Sequence, residues 1–445
     1  MGSLIRLGAE YIWNWPMMGL FLFVGLSYTI GLRGIQFRKL PQAFKSIGTS
    51  ESGKGISTYS ALCTALAATI GTGNIVGVAT AVTMGGPGAL FWMIVAAILG
   101  MGTQFAEGFL AVRYRALGEN TAGGPFSYME LGLKKPRWGK LYAIITAGAG
   151  ILGVGTITQI NSIAKAVEGL SRCRREWMGH PVVNIVTGIF VTVAVGMILM
   201  GGAKRIVKAC ETLVPLMSAL YLFCSFVILI WNYQLIPQGI QLIFRGAFRP
   251  QAILGAGSGI CLRQAMRMGI SRGVFTNEAG MGTGAIAAAS SGEKDPVKQG
   301  LITMSATFID TIVICSITGL CLIVTGAWKQ PVEGGAMTQL AWSLGLPWQH
   351  SLSAYLLVVC LVFFAFATII GWSFYGERCL LYLTGGKGIV VYRIGYLIAL
   401  LIGPFLSVAT VFDLADILNG LMAMPNLTAL LLLRHEVVDW VRNSS

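Results

Sequence analysis

Four residues at the centre of one apolar stretch, Gly71-Thr72-Gly73-Asn74, have types that suit the binding of a small charged molecule. They lie within an apolar run from about residue 56 to 84, which is long enough to cross a bilayer. Two glycines this close loosen a helix, and Thr and Asn side chains compete for backbone hydrogen bonds. A helix broken inside a membrane is tolerated only where its free backbone groups face protein or a wet cavity. The stretch therefore indicates a broken, ligand-accessible helix, although close helix packing explains the same glycines.

The composition places the chain in a membrane. Of its 445 residues, 55% are hydrophobic and 11% are charged, whereas soluble domains carry about 25% charged residues. The net charge of +14 does not indicate a nucleic-acid partner, because the basic residues lie between apolar spans rather than in one patch. The nine cysteines form no CxxC pair, which indicates free buried thiols rather than disulfides or a metal centre.

Eleven apolar spans predict an all-α polytopic membrane protein, with residues 1–445 forming a single transmembrane domain. The spans lie at about 12–32, 56–84, 88–112, 140–170, 181–201, 209–231, 273–290, 300–327, 351–383, 388–408 and 412–434. The segment 235–272 is apolar but carries five arginines, which favours short interfacial helices leading into the seventh span.

The distribution of Lys and Arg predicts the orientation. With the N-terminus outside, about two thirds of the 32 Lys and Arg residues fall in segments on the inner side, as the positive-inside bias requires. A loop with Lys165, Arg172, Arg174 and Arg175 runs against this bias. We expect an integral protein of the plasma (inner) membrane, embedded in the lipid bilayer, with its N-terminus outside and its C-terminus in the cytoplasm.

A short internal repeat pairs the first break with a second one. GTGNIV at 71–76 resembles GTGAIA at 282–287, which follows another polar, glycine-rich interruption at 275–281. Five spans separate the starts of the two units, and because five is odd the second unit enters from the opposite face. Two such units, each opening with a broken helix, are typical of inverted-repeat secondary transporters. The prediction is an extra helix at 12–32, repeat one at about 56–231 and repeat two at about 273–434.

Carboxylates within apolar spans are candidate functional residues, because a charge is costly there. Glu107 is best interpreted as a structural partner of backbone or Arg. For Glu278 and Asp310, structural pairing and a role in gating or coupling are equally compatible with the sequence. The adjacent Glu377 and Arg378 are best interpreted as solvated charges at an interfacial helix end.

Polar and aromatic side chains in other spans could face the same interior. Gln159 shares a helix face with Gly155 and should donate a hydrogen bond across helices. Thr368 and Trp372 are four residues apart and also share a face. Thr368 could offer its hydroxyl to a cation, and Trp372 could wall a small pocket, although core packing explains the tryptophan equally well.

The sequence lacks the residue patterns of enzymes and ATP-driven pumps. The three histidines lie at span ends or in the tail, so no Ser-His-Asp set is apparent, and no GxxxxGK[ST] motif occurs. We therefore expect neither an enzyme nor a cofactor besides a coupling ion. A proton-coupled transporter of the same fold stays open as an alternative, and a channel is the weaker one.

Five motifs together resemble the alanine or glycine:cation symporter family. They are GTGNIVG at 71–77, GGPGALFWM at 85–93, TNEAG at 276–280, GWSFYGERC at 371–379 and NGLMAMPN at 419–426. The resemblance covers about residues 56–434. It implies a leucine-transporter-like fold of ten core helices plus one extra, and Na⁺-coupled uptake of alanine or glycine.

The resemblance also implies a substrate site between the two broken helices and two straight ones. An amino acid is a zwitterion, and half-helix N-termini attract its carboxylate while exposed carbonyls accept from its ammonium group. The first break would bind the carboxylate and the second the ammonium, with a glutamine and a tryptophan closing the pocket. The residues implied are Thr72, Gly73, Asn74, Phe275, Thr276, Gly280, Gln159 and Trp372.

A sodium site follows from the same resemblance. The carbonyl groups near Ala67 and Ile70 and the hydroxyl of Thr368 would hold the ion. Hard oxygen ligands without a carboxylate suit a dehydrated monovalent cation better than a proton, which needs a titratable acceptor. The coupling ion is therefore expected to be Na⁺.

Overall fold

The computed structural model describes residues 2–48, 56–115, 123–171, 175–177, 179–248 and 262–443, and these residues are almost entirely helical. The first half forms α1 (Gly2–Ile12), α2 (Trp15–Gly31), α3 (Ile35–Arg38), α4 (Leu40–Gly48), α5 (Thr58–Thr69), α6 (Val78–Gly85), α7 (Gly88–Arg113), α8 (Pro125–Ser127), α9 (Pro136–Leu152), α10 (Ile157–Leu170), α11 (Val182–Leu199), α12 (Gly202–Trp231) and α13 (Ile236–Phe248). The second half forms α14 (Leu262–Asn277), α15 (Thr283–Ala289), α16 (Pro296–Thr307), α17 (Ser316–Val324), α18 (Gly334–Gly345), α19 (His350–Thr384), α20 (Ile389–Ile402), α21 (Val408–Leu432) and α22 (Arg434–Asn443).

Short irregular turns connect or interrupt these helices. π-Helical turns lie at Gly73–Gly77, Tyr128–Gly132 and Phe308–Cys315, and 3₁₀ turns at Tyr233–Leu235, Ala327–Lys329 and Gly403–Phe405. A short antiparallel hairpin pairs β1 (Glu176–Trp177) with β2 (His180–Pro181).

The helices match the eleven predicted spans within the described residues. Seven are long and apolar enough to cross a membrane, and α5 and α6 form an eighth span that bends by 50° at its break. The shorter α2, the interrupted α14–α15 and α20 match the other three. The prediction of an all-α polytopic membrane protein with broken helices is confirmed, whereas the division into two repeats stays a prediction.

Close packing around α7 and α19 forms the interior. α7 lies against α2, α14, α15 and α16, and α19 lies against α5, α9, α10 and α12. Two glycines allow close approaches of these helices: a Cβ on Gly269 would lie 2.3 Å from the Ala89 carbonyl oxygen, and one on Gly371 would lie 2.8 Å from the Ala68 nitrogen. By contrast, α11 exposes Val186, Ile189, Phe190 and Val193, as expected for a helix that faces lipid.

The first break follows from the local sequence. α5 ends at Thr69, and Ile70 leaves the helix with ψ 88°. The freed backbone N–H of Gly71 donates to Asn74 Oδ1 over 2.9 Å. The asparagine thus replaces one helical hydrogen bond with a side-chain bond, as short polar side chains do at helix ends.

A second interruption lies inside the predicted span 140–170. α9 ends at Leu152 and α10 begins at Ile157, with Gly153 as an extended residue between them (φ −119°, ψ −133°). A Cβ on Gly155 would lie 2.7 Å from Trp372 Cβ, so this turn packs directly against α19. The sequence analysis treated the span as continuous.

The third break divides α14 from α15. Glu278 has a positive φ of 55°, and Gly280 and Gly282 have φ of 80° and 86°. Left-handed backbone is unfavourable for a side chain other than that of Gly or Asn, which marks Glu278 as a strained position held by its surroundings.

Helix α14 (Leu262–Asn277) extends upstream of residue 273, the predicted start of the seventh span. Arg263, Arg267 and Arg272 give this half-helix a polar composition. Arg272 forms an ion pair with Asp416 of α21 that is largely buried, and the Arg263 guanidinium lies 5.6 Å from the Trp15 ring. Long-range partners therefore accommodate arginines that hydropathy alone excludes from a span. Residues 249–261 of the segment predicted to be interfacial lie outside the described residues, and the amphipathic α13 occupies its start.

The interpretation of Glu377 as a solvated charge is also wrong. Its carboxylate accepts two hydrogen bonds from the Arg393 guanidinium, at 2.6 and 3.0 Å, and the residue is buried. Arg378 instead lies over the Phe374 ring at 4.8 Å.

One end of the bundle joins the start of α5 to the end of α15. Ile56 and Ser291 form a parallel backbone bridge, and the Gly292 N–H donates to the Ile56 carbonyl over 2.9 Å. The Arg115 guanidinium donates to the carbonyls of Ser291 and, over 2.8 Å, Glu293. We call this group, Ile56, Arg115, Ser291, Gly292 and Glu293, the backbone latch.

Candidate functional site

The first break and α10 form one side of the candidate site. The backbone N–H of Thr72 points to Gln159 Oε1 at 3.3 Å, while Gln159 Nε2 donates to the Val154 carbonyl over 3.0 Å. Gln159 therefore links the α9–α10 interruption to the first break. The hydroxyl oxygen of Thr72 is buried and has no hydrogen-bond partner. An unpaired hydroxyl at the N-terminus of a half-helix suits an anionic ligand.

Three oxygen atoms converge where α5 ends. Thr368 Oγ1 lies 3.0 Å from the Ala67 carbonyl oxygen, 3.4 Å from that of Ile70 and 3.1 Å from that of Phe364. Because a hydroxyl has one proton, it donates to only one of these at a time. At least one of the Ala67 and Ile70 carbonyls therefore keeps a free lone pair at the negative end of the α5 dipole. The structure thus brings together the residues predicted to hold sodium, in an arrangement that suits a small cation.

The two predicted breaks touch each other. A Cβ on Gly73 would lie 2.8 Å from Thr276 Cγ2 and 3.4 Å from the Phe275 ring, so only glycine allows this approach. The Thr276 hydroxyl donates to the Gly273 carbonyl over 2.8 Å. Little room is left for any side chain between these residues.

Trp372 contacts the second break through its indole nitrogen. Trp372 Nε1 donates to Glu278 Oε1 over 2.9 Å, and the residue is fully buried. Glu278 Oε2 is buried without a partner. Trp372 therefore fixes the strained Glu278 in addition to any contact with a ligand, a role that the sequence analysis did not anticipate.

Gly280 lies in the second break but turns toward α21. A Cβ on it would lie 2.7 Å from Leu427 Cδ2. Asn426 Nδ2 donates to the Gly280 carbonyl over 2.9 Å and to Glu107 Oε1 over 2.7 Å. Glu107 Oε1 also accepts from the Gly282 N–H over 3.1 Å. The Gly280 carbonyl is therefore already occupied by a protein donor, and Glu107 has a structural role at the start of α15.

Several buried polar residues of this region were not singled out from sequence. Tyr142 donates to the Met281 carbonyl over 2.7 Å, and the Tyr128 hydroxyl donates to Asn426 Oδ1. Asn419 is fully buried, and neither of its amide atoms has a hydrogen-bond partner. It lies seven residues before Asn426, on nearly the same face of α21. The signal available was a polar residue inside an apolar span.

Phe275 closes one end of the region. Its ring lies parallel to that of Phe412 at 6.0 Å and under the Arg272 guanidinium at 5.3 Å. Arg272 pairs with Asp416, whose carbonyl accepts from Trp13 Nε1 over 2.8 Å. A stack of aromatic and paired charged groups therefore covers the second break.

Comparisons with known proteins agree with this architecture. The structure is similar to the crystal structure of MhsT in complex with L-phenylalanine, with a TM-score of 0.60 over 86% of this chain and 90% of that one, at 14% sequence identity. MhsT is a transporter of the leucine-transporter fold, so the expected fold class is confirmed. Broken helices of this kind are typical of secondary transporters.

The sequence comparisons specify the family. The model of the sodium:alanine symporter family matches residues 1–444. The sodium/alanine symporter AgcS of Methanococcus maripaludis is 40% identical over 450 residues, covering 98% of this chain and 96% of that protein. The probable sodium/glutamine symporter GlnT of Bacillus subtilis is 35% identical over 437 residues, covering 97% and 88%. The chain belongs to the sodium:alanine symporter family, a family of transporters rather than enzymes, and is a cation-coupled amino-acid transporter of the membrane.

Proposed function

We propose that the chain couples inward movement of Na⁺ to uptake of alanine or glycine by alternating access. The observation that carries the proposal is the placement of the Thr368 hydroxyl against the Ala67 and Ile70 carbonyls, directly before the unpaired Thr72 hydroxyl of the first break. An ion bound there would complete the end of α5 and hold the adjacent break in its binding conformation. Binding of ion and substrate would then favour each other, as symport requires.

A small substrate is supported by the packing around the break. Gly73 touches Thr276 and Phe275 without space for a Cβ, and Trp372 is fully buried against Glu278. The names of two relatives differ in substrate, alanine for AgcS and glutamine for GlnT. Substrate choice therefore has to be measured on this chain.

The expected setting is the plasma (inner) membrane with the N-terminus outside. This follows from the charge bias of the connecting segments, and lipid would cover the exposed apolar faces of α11 and α12. Labelling of the variants Gly2→Cys and Ser445→Cys with a membrane-impermeant thiol reagent in sealed cells tests this orientation. Labelling of Ser445→Cys from outside would contradict it.

The decisive experiment uses the purified chain in liposomes. An inward Na⁺ gradient at constant pH, without ATP, should drive accumulation of alanine or glycine, and unlabelled glycine, alanine, serine and glutamine should be compared as competitors. Thr368→Ala should raise the Na⁺ concentration for half-maximal uptake at least about tenfold, corresponding to ~1.4 kcal/mol. Thr368→Ser, which keeps the hydroxyl, is the matched control and should stay close to the unmodified chain.

Proton coupling is the second candidate, because Glu107, Glu278 and Asp310 are buried carboxylates. One relative, YrbD of Bacillus subtilis, is named a putative sodium/proton-dependent alanine carrier protein. Accumulation driven by a pH gradient alone, in Na⁺-free buffer, would favour it and would contradict the proposal of Na⁺ as the coupling ion.

A further inference from the structure

A cavity of about 240 Å³ lies where α2 ends, and four basic residues line it. They are Arg33, Arg38, Lys39 and Arg442, and none of the residues that the structure describes around the cavity is acidic. No ion pair in the described part of the chain includes any of the four. Unpaired cations around one cavity create a positive potential that attracts an anion.

The C-terminus of α2 accounts for only part of this positive charge. The Arg442 guanidinium donates two hydrogen bonds to the Gly31 carbonyl, at 3.2 and 3.0 Å, and so caps the helix. A helix C-terminus carries the equivalent of roughly −0.5 elementary charge, which is too little to balance four cations. Since a guanidinium has more N–H groups than these two bonds use, Arg442 can cap α2 and still donate to a bound anion.

The backbone holds one of the four cations in an unfavourable conformation. Arg33 has a φ of 53°, in the left-handed region that favours glycine, and Gly34 follows with a φ of 64°. A glycine at position 33 would form the same turn without this strain. Backbone outliers of this kind cluster at ligand sites, where the strain is part of the site. The conformation of Arg33 thus indicates that its side chain has a role beyond the turn.

An apolar groove of about 390 Å³ adjoins the basic cavity along α2. Phe23, Leu26 and Ile30 form one wall, and Leu431 of α21 belongs to the other. The groove ends at Ile30, and the cavity begins at the next residue of the helix. The three side chains of α2 are 57%, 47% and 64% exposed. Apolar side chains that line a groove on a membrane helix suit contact with a lipid chain.

The order of groove and cavity is that of the parts of a phospholipid. The groove follows the apolar body of α2, and the basic cavity lies beyond the end of that helix. Phe37 of α3 is 64% exposed beside Arg38, and exposed aromatic and basic residues together are typical of a helix at the membrane–water interface. The cavity therefore lies at the depth of lipid headgroups. Basic pockets between transmembrane helices are known to bind anionic headgroups.

We propose that this site binds an anionic phospholipid, with the phosphate in the basic cavity and an acyl chain along the groove. A water molecule takes up ~30 Å³ in the liquid, so a cavity of about 240 Å³ has room for a phosphate group. The inference goes beyond the proposed function and does not depend on which ion or amino acid is transported. The bound lipid would join α2 to α21 and α22, a contact that Arg434 also supports by donating to the Ser27 carbonyl over 3.3 and 3.2 Å.

The first test measures lipid binding to the detergent-purified full chain by native mass spectrometry. Dioleoylphosphatidylglycerol should bind at least about tenfold more tightly than dioleoylphosphatidylcholine, corresponding to ~1.4 kcal/mol. The double variant Arg38→Gln/Lys39→Gln should lose this preference. Lys204→Gln/Arg205→Gln, which removes two exposed charges at the start of α12, is the matched control and should keep it. Equal binding of the two lipids by the unmodified chain would overturn the inference.

A second measurement distinguishes a lipid from a free anion and does not depend on any variant. Dioleoylphosphatidylglycerol should raise the midpoint of thermal unfolding of the unmodified chain in detergent, whereas inorganic phosphate at the same concentration should not. An equal rise with inorganic phosphate would show that the cavity binds a free anion and would overturn the assignment of a lipid. A size-exclusion profile shows whether the double variant Arg38→Gln/Lys39→Gln is folded before its binding is compared.

The groove is tested separately from the cavity. Ile30→Ala removes part of the groove wall without changing charge, and it should weaken binding of dioleoylphosphatidylglycerol at least about threefold because less apolar surface is buried. Ile189→Ala, at an exposed position of α11, is the matched control and should bind as the unmodified chain does. Unchanged binding in Ile30→Ala would contradict the placement of an acyl chain in the groove.

Discussion

The two broken helices that face each other are stabilised in different ways. The break between α5 and α6 combines a local bond, in which Asn74 accepts from the N–H of Gly71, with contacts from Gln159 and Thr368. The break between α14 and α15 is held by distant residues, with Asn426 on the Gly280 carbonyl, Tyr142 on the Met281 carbonyl and Trp372 on Glu278. At the first break a single hydroxyl, that of Thr368, faces the Ala67 and Ile70 carbonyls, whereas the Gly280 and Met281 carbonyls of the second break each have their own protein donor.

This difference indicates that the two breaks have different roles in transport. A break in which one hydroxyl faces two carbonyls can change conformation when an ion or substrate binds beside it. A break whose carbonyls and strained residue are fixed by three other helices serves as a reference surface against which the first one closes. Four substitutions test this comparison, from the largest expected effect to the smallest.

Gly71→Ala should have the largest effect. A Cβ at this position would lie 2.4 Å from Thr368 Oγ1 and 3.4 Å from Gln159 Oε1, so it would displace the groups that converge at the first break. We expect a loss of Na⁺-driven uptake of at least about 100-fold, corresponding to ~2.7 kcal/mol. Gly148→Ala, in α9 with open space around its Cβ position, is the control and should transport normally. Near-normal uptake by Gly71→Ala would show that the first break is not at the ligand site.

Asn74→Ala should impair transport strongly while the protein still inserts and folds. The change removes the acceptor of the Gly71 N–H and a donor to Asp310. Uptake kinetics and size-exclusion profiles in detergent measure the two effects separately. Saturable uptake with unchanged half-saturation for alanine and Na⁺ would contradict the functional role of the break. Asn184→Ala, an asparagine that pairs with Glu168 far from the site, provides the comparison.

Asn426→Leu should act on stability more than on ligand affinity. It leaves Glu107, the Gly280 carbonyl and the Tyr128 hydroxyl without their shared partner. Such loss in a buried network costs about 1–3 kcal/mol, which should appear as a lower midpoint of thermal unfolding in detergent. If the midpoint is unchanged but the alanine affinity falls, the second break is a ligand-binding element rather than a fixed surface.

Trp372→Phe should have the smallest effect and separates two roles of the indole. It keeps an aromatic ring but removes the donor to Glu278. If the ring walls the side-chain pocket, competition by glycine, alanine, serine and leucine should keep its order, with uptake reduced only a fewfold. Trp372→Ala should then widen the selection toward larger neutral amino acids. An unchanged competition profile in Trp372→Ala would restrict Trp372 to holding Glu278.

The two breaks also differ in how well the sequence predicts their structure. The first break was predictable because the residues that cause it, Gly71, Gly73 and Asn74, are neighbours in the chain. The start of α14 was not, because Arg272 is accommodated by Asp416, 144 positions away. Trp372 and Glu278 are 94 positions apart, and neither residue type alone indicates the hydrogen bond between them.

The residues proposed to bind sodium show the same dependence on distance. Thr368 was placed near Ala67 and Ile70 through family resemblance, because their separation of about 300 positions along the chain leaves no local pattern. The interruption at 153–156 was missed since its residues, Gly153-Val154-Gly155-Thr156, keep the apolar character of the span. Buried polar residues such as Asn426 and Asn419 were visible in the sequence, but their partners were not.

The backbone latch limits how this protein can open. Since Gly292 and Ile56 share a main-chain hydrogen bond, the entry of α5 and the exit of α15 are tied independently of side-chain identity. Helices α5 and α15 must therefore tilt together as one unit, or the Gly292–Ile56 hydrogen bond must break once in every transport cycle. In the first case an ion and substrate bound between the breaks would move together with the two half-helices. Access to the site would then change at the opposite end of these half-helices. In the second case, Arg115, which follows α7, would keep the loop at Ser291 and Glu293 in place so that the backbone bond can form again.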